Sequence, residues 1–185
     1  MRVIAGEAKG RRLKSVPGDS TRPILDRIKE NLFNIIGMEN VRGTHWLDLF
    51  AGTGGVGIEA LSRGCDYCLF IDSSREAILT VEHNLRLTEL ADRADVLRDN
   101  AFVYLKRQPD DDEGFDYIFI APPQYKNMWE KALRSLDQKP EWLVPNGVAV
   151  VQIDPQEYEE FELAHLTLYD KRIYGNTMLC FYERE

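Results

Sequence analysis

The feature that most constrains this chain is the stretch Leu47-Asp48-Leu49-Phe50-Ala51-Gly52-Thr53-Gly54-Gly55-Val56-Gly57-Ile58-Glu59. An apolar run ends in a glycine-rich turn, and the turn opens into an amphipathic segment. Gly52, Gly54 and Gly57 satisfy G-x-G-x-x-G, whose glycines let a strand turn tightly and a ligand approach the backbone. Three spaced glycines are an entropically costly way to build a plain loop. A strand over 45–50, a tight turn and a helix over 54–62 are therefore expected, with a ligand at the turn.

Around this unit, strand-like and helix-like patterns alternate. Apolar residues recur at Ile24, Leu25, Ile28, Leu32, Phe33, Ile35 and Ile36, one face of a helix ended by Gly37. Beyond the glycine turn the expected order is strand 67–71, helix 75–87, strand 94–97, helix 101–107, strand 115–120, helix 127–136 and strand 147–153. Such alternation implies a parallel sheet covered on both faces. The ending departs from it. Residues 163–172 and 176–182 are two strand-like runs joined at Tyr174-Gly175 with no helix between them, so they must pair as an antiparallel hairpin. An α/β doubly wound, Rossmann-like sheet finished by such a hairpin is the architecture of class I methyltransferases, whereas NAD domains continue the βα alternation. At the start, 2–5 and 11–16 flank a Gly6…Gly10 turn and could form a hairpin. The expected organisation is an N-terminal arm over 1–20 and one domain over 21–185.

Charge is unevenly spread. The net charge is −8, yet residues 1–42 hold nine Lys/Arg against five Asp/Glu, which leaves −12 for the remainder. A basic arm on an acidic body suits local phosphate contact, although a solvated hairpin would read the same. No apolar stretch approaches the ~20 residues that span a bilayer, and the first residues carry no secretory h-region, so a cytoplasmic location is expected. Cys65 and Cys68 form a lone C-x-x-C without a second pair, which reads as two small semi-buried thiols rather than a metal or redox site. No metal is expected.

Ligands of open α/β sheets sit at the carboxyl ends of the strands. Four groups fall there: Asp48 with Ala51, Gly52 and Gly54; Asp72 with Ser73; Asp99-Asn100-Ala101; and Ala121-Pro122-Pro123-Gln124-Tyr125. Asp48 discriminates among ligands. A carboxylate at the tip of the first strand repels a pyrophosphate but suits the ammonium of an amino-acid-bearing cofactor. S-adenosylmethionine is such a cofactor, and NAD is not. Asp72, about twenty residues past the glycines, suits ribose hydroxyls. Asn100 could accept from an adenine amino group or cap a helix. Phe70 and Phe102 could flank the adenine or belong to the core. Two consecutive prolines remove two N–H donors and stiffen a loop of carbonyl acceptors, suited to holding an exocyclic amino group.

On these residues the chain resembles the bacterial small-subunit rRNA guanine-N2 methyltransferase family, the RsmD type. The resemblance runs through Met1–Gly6, Lys9–Leu13, Thr21-Arg22-Pro23, Asp26-Arg27, Glu30–Asn34, Leu47–Glu59, Tyr174–Thr177 and Phe181-Tyr182. It implies a methyltransferase acting on the 2-amino group of a guanine in 16S rRNA, on a partly assembled small subunit, as a monomer. Asp48, Gly52, Gly54, Asp72 and Asn100 would hold S-adenosylmethionine, with Arg22 and Pro23 near its methionine end. Arg11, Arg12 and Lys14 would contact rRNA phosphates.

One position departs from that family. Its catalytic loop usually reads Asp or Asn, then Pro-Pro, then Tyr or Phe. Here Ala121 stands at the acceptor position and Gln124 where the aromatic belongs, with Tyr125 one place later. Three outcomes stay open: the Pro122 carbonyl and Gln124 take over as acceptors, the target atom or base differs, or the protein binds cofactor and RNA as an assembly protein without turnover. A nicotinamide-dependent dehydrogenase is the competing enzyme class.

Overall fold

The structure, a computed structural model, describes residues 1–18 and 23–185. Its centre is a seven-stranded sheet: β1 (His45–Leu49), β2 (Tyr67–Asp72), β3 (Ala94–Arg98), β4 (Phe115–Ile120), β5 (Leu143–Ile153), β6 (Leu166–Tyr174) and β7 (Thr177–Arg184). The order is β3-β2-β1-β4-β5-β7-β6. Strands β1 to β5 pair in parallel, and β7 runs antiparallel to both β5 and β6. The strand order reverses between β1 and β4, which opens a crevice at their carboxyl ends.

The helices are α1 (Asp26–Ile36), α2 (Gly55–Ser62), α3 (Arg75–Thr88), α4 (Ala101–Lys106) and α5 (Met128–Gln138). Two apolar clusters lie on opposite faces of the sheet. One joins α1, α2 and α3 to Trp46, Phe70, Phe119 and Val150, and the other joins α4 and α5 to Leu47, Ile71, Ile120 and Val151. The period-two alternation of β1 sends Trp46 and Asp48 to the first face and Leu47 and Leu49 to the second. Gly57 keeps α2 close to the sheet, since a Cβ there would stand 2.4 Å from Phe70 Cε1.

Two elements differ from expectation. The turn residues Pro145-Asn146-Gly147 lie inside β5, which begins at Leu143 and absorbs them as an irregularity opposite β4, with Asn146 at φ +63°. The N-terminal segment is no free-standing arm. It pairs as the expected hairpin, with an Arg2–Arg12 bridge and with Val3 N–H donating to the Arg11 carbonyl, Gly10 N–H to the Val3 carbonyl and Leu13 N–H to the Met1 carbonyl. Its Val3, Ala8 and Leu13, however, enter the same core as α1 and α2.

Glu59 anchors that segment. Its buried carboxylate accepts Ile4 N–H at 2.9 Å, Ala5 N–H at 3.0 Å and Arg63 Nε at 2.9 Å, with Lys29 Nζ at 3.2 Å. Lys29 also donates to the Arg2 carbonyl at 2.6 Å. Burial holds the Lys29 ammonium below the ordinary lysine range, against the upward pull of Glu59. A carboxylate buried on this scale is tolerable only because each oxygen is met by donors.

Candidate functional site

A cavity of about 490 Å³ opens at the carboxyl ends of the strands, on either side of the β1–β4 reversal. It gathers most of the residues expected from the sequence: Pro23, Asp48, Ala51, Gly52, Asp72, Ser73, Asp99, Asn100, Ala101 and the run Ala121–Gln124. Arg22 lies outside the described residues. Gly54 and Tyr125 do not line the cavity.

The glycine turn explains why Gly54 is needed although it lines nothing. Gly52 and Gly54 take φ of +55° and +76°, conformations that L side chains rarely adopt. A Cβ on Gly54 would meet Ile58, Phe70 and Val81 at 3.3 Å, so this residue shapes the bend from the core side. Phe50, just before the turn, holds φ +66° despite its side chain. Such strain in a non-glycine residue persists only where its surroundings enforce it. Phe50 lines the cavity and meets Phe102 edge-on, with ring centroids 5.9 Å apart. Phe50 and Phe102 thus form one aromatic wall, and Phe119 lines the cavity from β4. Phe70 is buried in the core beneath Gly57.

Asp48 is 2% exposed, and its Oδ2 accepts the Gly57 N–H at 3.0 Å. Burial pushes its carboxyl up to about 8, the Gly57 bond pulls it down, and nearby Asp72 raises it further. The standing negative charge expected from the sequence is thus revised. With no cation beside it, Asp48 is largely protonated at pH 7, and an ammonium would draw out its negative charge.

Asp72 ties the site together. Its Oδ2 accepts Gly52 N–H and its Oδ1 accepts Ser74 N–H, both at 2.9 Å, so one carboxylate links the glycine turn to the start of α3. Each oxygen retains further acceptor capacity, and Asp72 lines the cavity. Ser74, not Ser73, caps α3 by accepting Ala77 N–H. Asn100 caps α4: its Oδ1 accepts Phe102 and Val103 N–H at 2.9 and 3.3 Å. The cap, one of the two roles expected for Asn100, is thus present, and the same residue lines the cavity.

At the end of β4, Ala121, buried Pro122, Pro123 and Gln124 follow the strand into the cavity rim. Tyr125 turns away. It holds φ +60° and is 64% exposed, its hydroxyl donates to Asp154 Oδ2 at 2.9 Å, and its N–H donates to Glu157 Oε1 at 2.6 Å. Sequence reasoning missed Thr53, Phe119, Met128, Gln152 and Thr177, all of which line the cavity. Phe119, Gln152 and Thr177 sit on β4, β5 and β7 facing α1–α3, and only their strand-end positions could have marked them.

Of the basic residues, Arg11 is occupied. Its guanidinium donates to the Leu87 carbonyl at 2.5 Å and pairs with Glu89 at 3.1 Å, which ties the segment to α3. Arg12 and Lys14 are exposed. The segment lies beside the glycine turn, where the Thr53 hydroxyl approaches Met1 Sδ at 3.9 Å. Cys65 and Cys68 are buried free thiols, the first pushed up to about 12 by burial. Among the described residues, no group of His, Cys, Asp and Glu could hold a metal ion, and no helix is long and apolar enough to cross a membrane. The acidic stretch 110–113 joins α4 to β4 and so lies at the amino ends of the strands, opposite the cavity.

Comparison with known proteins places this geometry. The family model described as Conserved hypothetical protein 95 matches residues 1–183. YlbH of Bacillus subtilis (strain 168), named provisionally as an rRNA methyltransferase, is 42% identical over 184 residues, 100% of this chain and 99% of its own. Ribosomal RNA small subunit methyltransferase D of Haemophilus influenzae is 34% identical over 83% of this chain and 79% of its own. A solved Escherichia coli structure, provisionally designated a methyltransferase, superimposes with a TM-score of 0.87 at 28% identity, covering 100% of this chain and 98% of that one.

Proposed function

The chain belongs to the ribosomal RNA small subunit methyltransferase D family, and from that membership we propose that it is an S-adenosylmethionine-dependent rRNA methyltransferase. Its proposed target is the 2-amino group of a guanine in 16S rRNA within an assembling small subunit. It acts as a cytoplasmic monomer. The observation that carries this reading is one cavity lined by Asp48 and the glycine turn at one end and by the Pro122-Pro123 loop at the other.

The donor set fits the cofactor. Buried Asp48 suits the methionine ammonium, Asp72 and the backbone of the Gly52 turn suit the ribose, and Phe50 with Phe102 suits a planar base. When bound, the cofactor supplies an activated methyl on a sulfonium. The protein must then hold an amino nitrogen in line, because conjugation with the ring makes that nitrogen a weak nucleophile. A stiff Pro-Pro segment offers carbonyl acceptors without competing N–H donors, and proximity supplies much of the rate. Pro122 is the proposed main-chain acceptor, and Gln124 stands beside it at the rim. Arg12 and Lys14, exposed next to the glycine turn, are proposed to meet RNA phosphates, whereas Arg11 serves the fold.

The test is transfer of tritium from labelled S-adenosylmethionine into small subunits lacking the modification. Label in 16S rRNA that digests to N2-methylguanosine is the expected result. No transfer to subunits or RNA, at concentrations where the protein binds S-adenosylhomocysteine, overturns the reading.

A further inference from the structure

We propose that Gln152 is the side-chain acceptor for the substrate amino group, in place of the group that Ala121 lacks; this rests on the methyltransferase reading above. The carrying observation is an orphaned atom. Gln152 Oε1 is buried and receives no hydrogen bond from any described residue, although Gln152 lines the cavity. A buried amide oxygen without a donor carries a desolvation cost, so its retention at a cavity wall points to a donor that arrives with the ligand.

The register brings this oxygen to the right place. Ile120 of β4 pairs in parallel with Val151 of β5, so Ala121 and Gln152 follow one step on, on neighbouring strands about 4.8 Å apart. Phe119 and Val150, two residues earlier on each strand, share the face covered by α1–α3, and alternation returns Ala121 and Gln152 to that face. Asp48 occupies the same face of β1, directly across from Phe119. The small Ala121 side chain leaves space between the strands, and a glutamine is one methylene longer than an asparagine. A side chain from β5 can therefore reach the volume that a residue at 121 would otherwise fill.

An exocyclic amino group has two N–H bonds to satisfy. The Pro122 carbonyl takes one and Gln152 Oε1 the other, which turns the nitrogen lone pair out of conjugation and toward the methyl. With the cofactor bound, the N–C bond would form as the sulfonium C–S bond breaks, S-adenosylhomocysteine leaving as a neutral thioether. The Gln152 and Pro122 oxygens would stabilise the positive charge growing on the nitrogen, and its surplus proton would pass to solvent. Gln124, at the rim, is the competing side-chain acceptor.

The test compares Gln152→Met, Gln124→Met and the double variant Ala121→Asn with Gln152→Met. Three quantities are read: kcat and KM for subunit methylation, S-adenosylhomocysteine affinity by calorimetry, and the thermal midpoint. Gln152→Met is expected to lower kcat by roughly 10²–10³, leave S-adenosylhomocysteine affinity unchanged, and keep or raise the midpoint because an unpaired buried oxygen is removed. Adding Ala121→Asn should return part of the lost kcat. A fall in midpoint together with lost cofactor affinity would mean a structural amide and overturns the assignment. A wild-type-like kcat in Gln152→Met, with the loss appearing in Gln124→Met instead, also overturns it while leaving the methyltransferase reading intact. A wild-type chain that binds S-adenosylhomocysteine but moves no label overturns that reading, and Gln152's role with it.

Discussion

Asp48→Asn should make the ligand-free protein more stable while weakening its hold on cofactor. Burial lifts the carboxyl from its ordinary 3.8 to about 8. A carboxyl with a raised folded-state pKa favours the fold fully below pH 3.8, and this contribution is lost as pH rises toward 8. At pH 7 the unfolded chain ionises Asp48 and the folded chain does not, which opposes folding by about 4 kcal/mol at 1.36 kcal/mol per pH unit. Asparagine keeps an oxygen for the Gly57 N–H, now accepted at 3.0 Å, and carries no charge to desolvate. Because its amide is still a buried polar group, the expected gain at pH 7 is on the order of 2–4 kcal/mol. For a chain of this size that is roughly 4–16 °C in midpoint. The assay is thermal or urea unfolding of both proteins, without ligand, from pH 4 to 8. The difference between them should be near zero at pH 4 and grow with pH. Parallel curves across that range would refute the burial argument, because no other group changes between the two proteins. Calorimetry on the same samples should show weaker S-adenosylhomocysteine binding by Asp48→Asn.

The same carboxyl predicts that wild-type affinity for S-adenosylhomocysteine rises from pH 6 toward 8 and that binding releases protons. Calorimetry in buffers of different ionisation enthalpy would detect this, and pH-independent heats would contradict it. Glu59→Gln leaves Lys29 and Arg63 buried without their counter-charge, and should lower stability by about 3–5 kcal/mol in urea unfolding and free the N-terminal segment to proteolysis. Gly57→Ala forces a methyl against the buried Phe70 ring and should cost about 1–3 kcal/mol by the same measurement. Arg12→Ala and Lys14→Ala should each weaken RNA binding and reduce the log–log salt slope by about 1 in filter binding, whereas Arg11→Ala acts mainly on stability.

Local pattern was enough for most elements. The periodicity of Ile28, Leu32, Phe33 and Ile36 and the cap at Gly37 define α1, and the alternation of β1 is readable from His45 to Leu49. Turn chemistry misled once: Pro145-Asn146-Gly147 looks like a strand boundary, but pairing of β5 with β4 and β7 outweighs it. The Arg2–Arg12 segment looks like a separate basic hairpin because charge is visible in a sequence and docking is not. Its attachment comes from Glu59, more than fifty residues away.

By itself, the order of residues determined the doubly wound sheet, the closing hairpin and the glycine turn, because each depends on neighbours a few positions apart. Which atoms are free to meet a ligand was decided only by the tertiary structure. Asn100 Oδ1 is engaged by a helix, Arg11 by Glu89, and Tyr125 by Asp154, whereas Gln152 Oε1 is buried without a donor among the described residues, in a residue that lines the cavity. Burial sets the protonation of Asp48 in the same way. Hydrogen-bond satisfaction and desolvation are sums over everything packed around a group, and in this fold much of that packing comes from strands and helices distant in the chain.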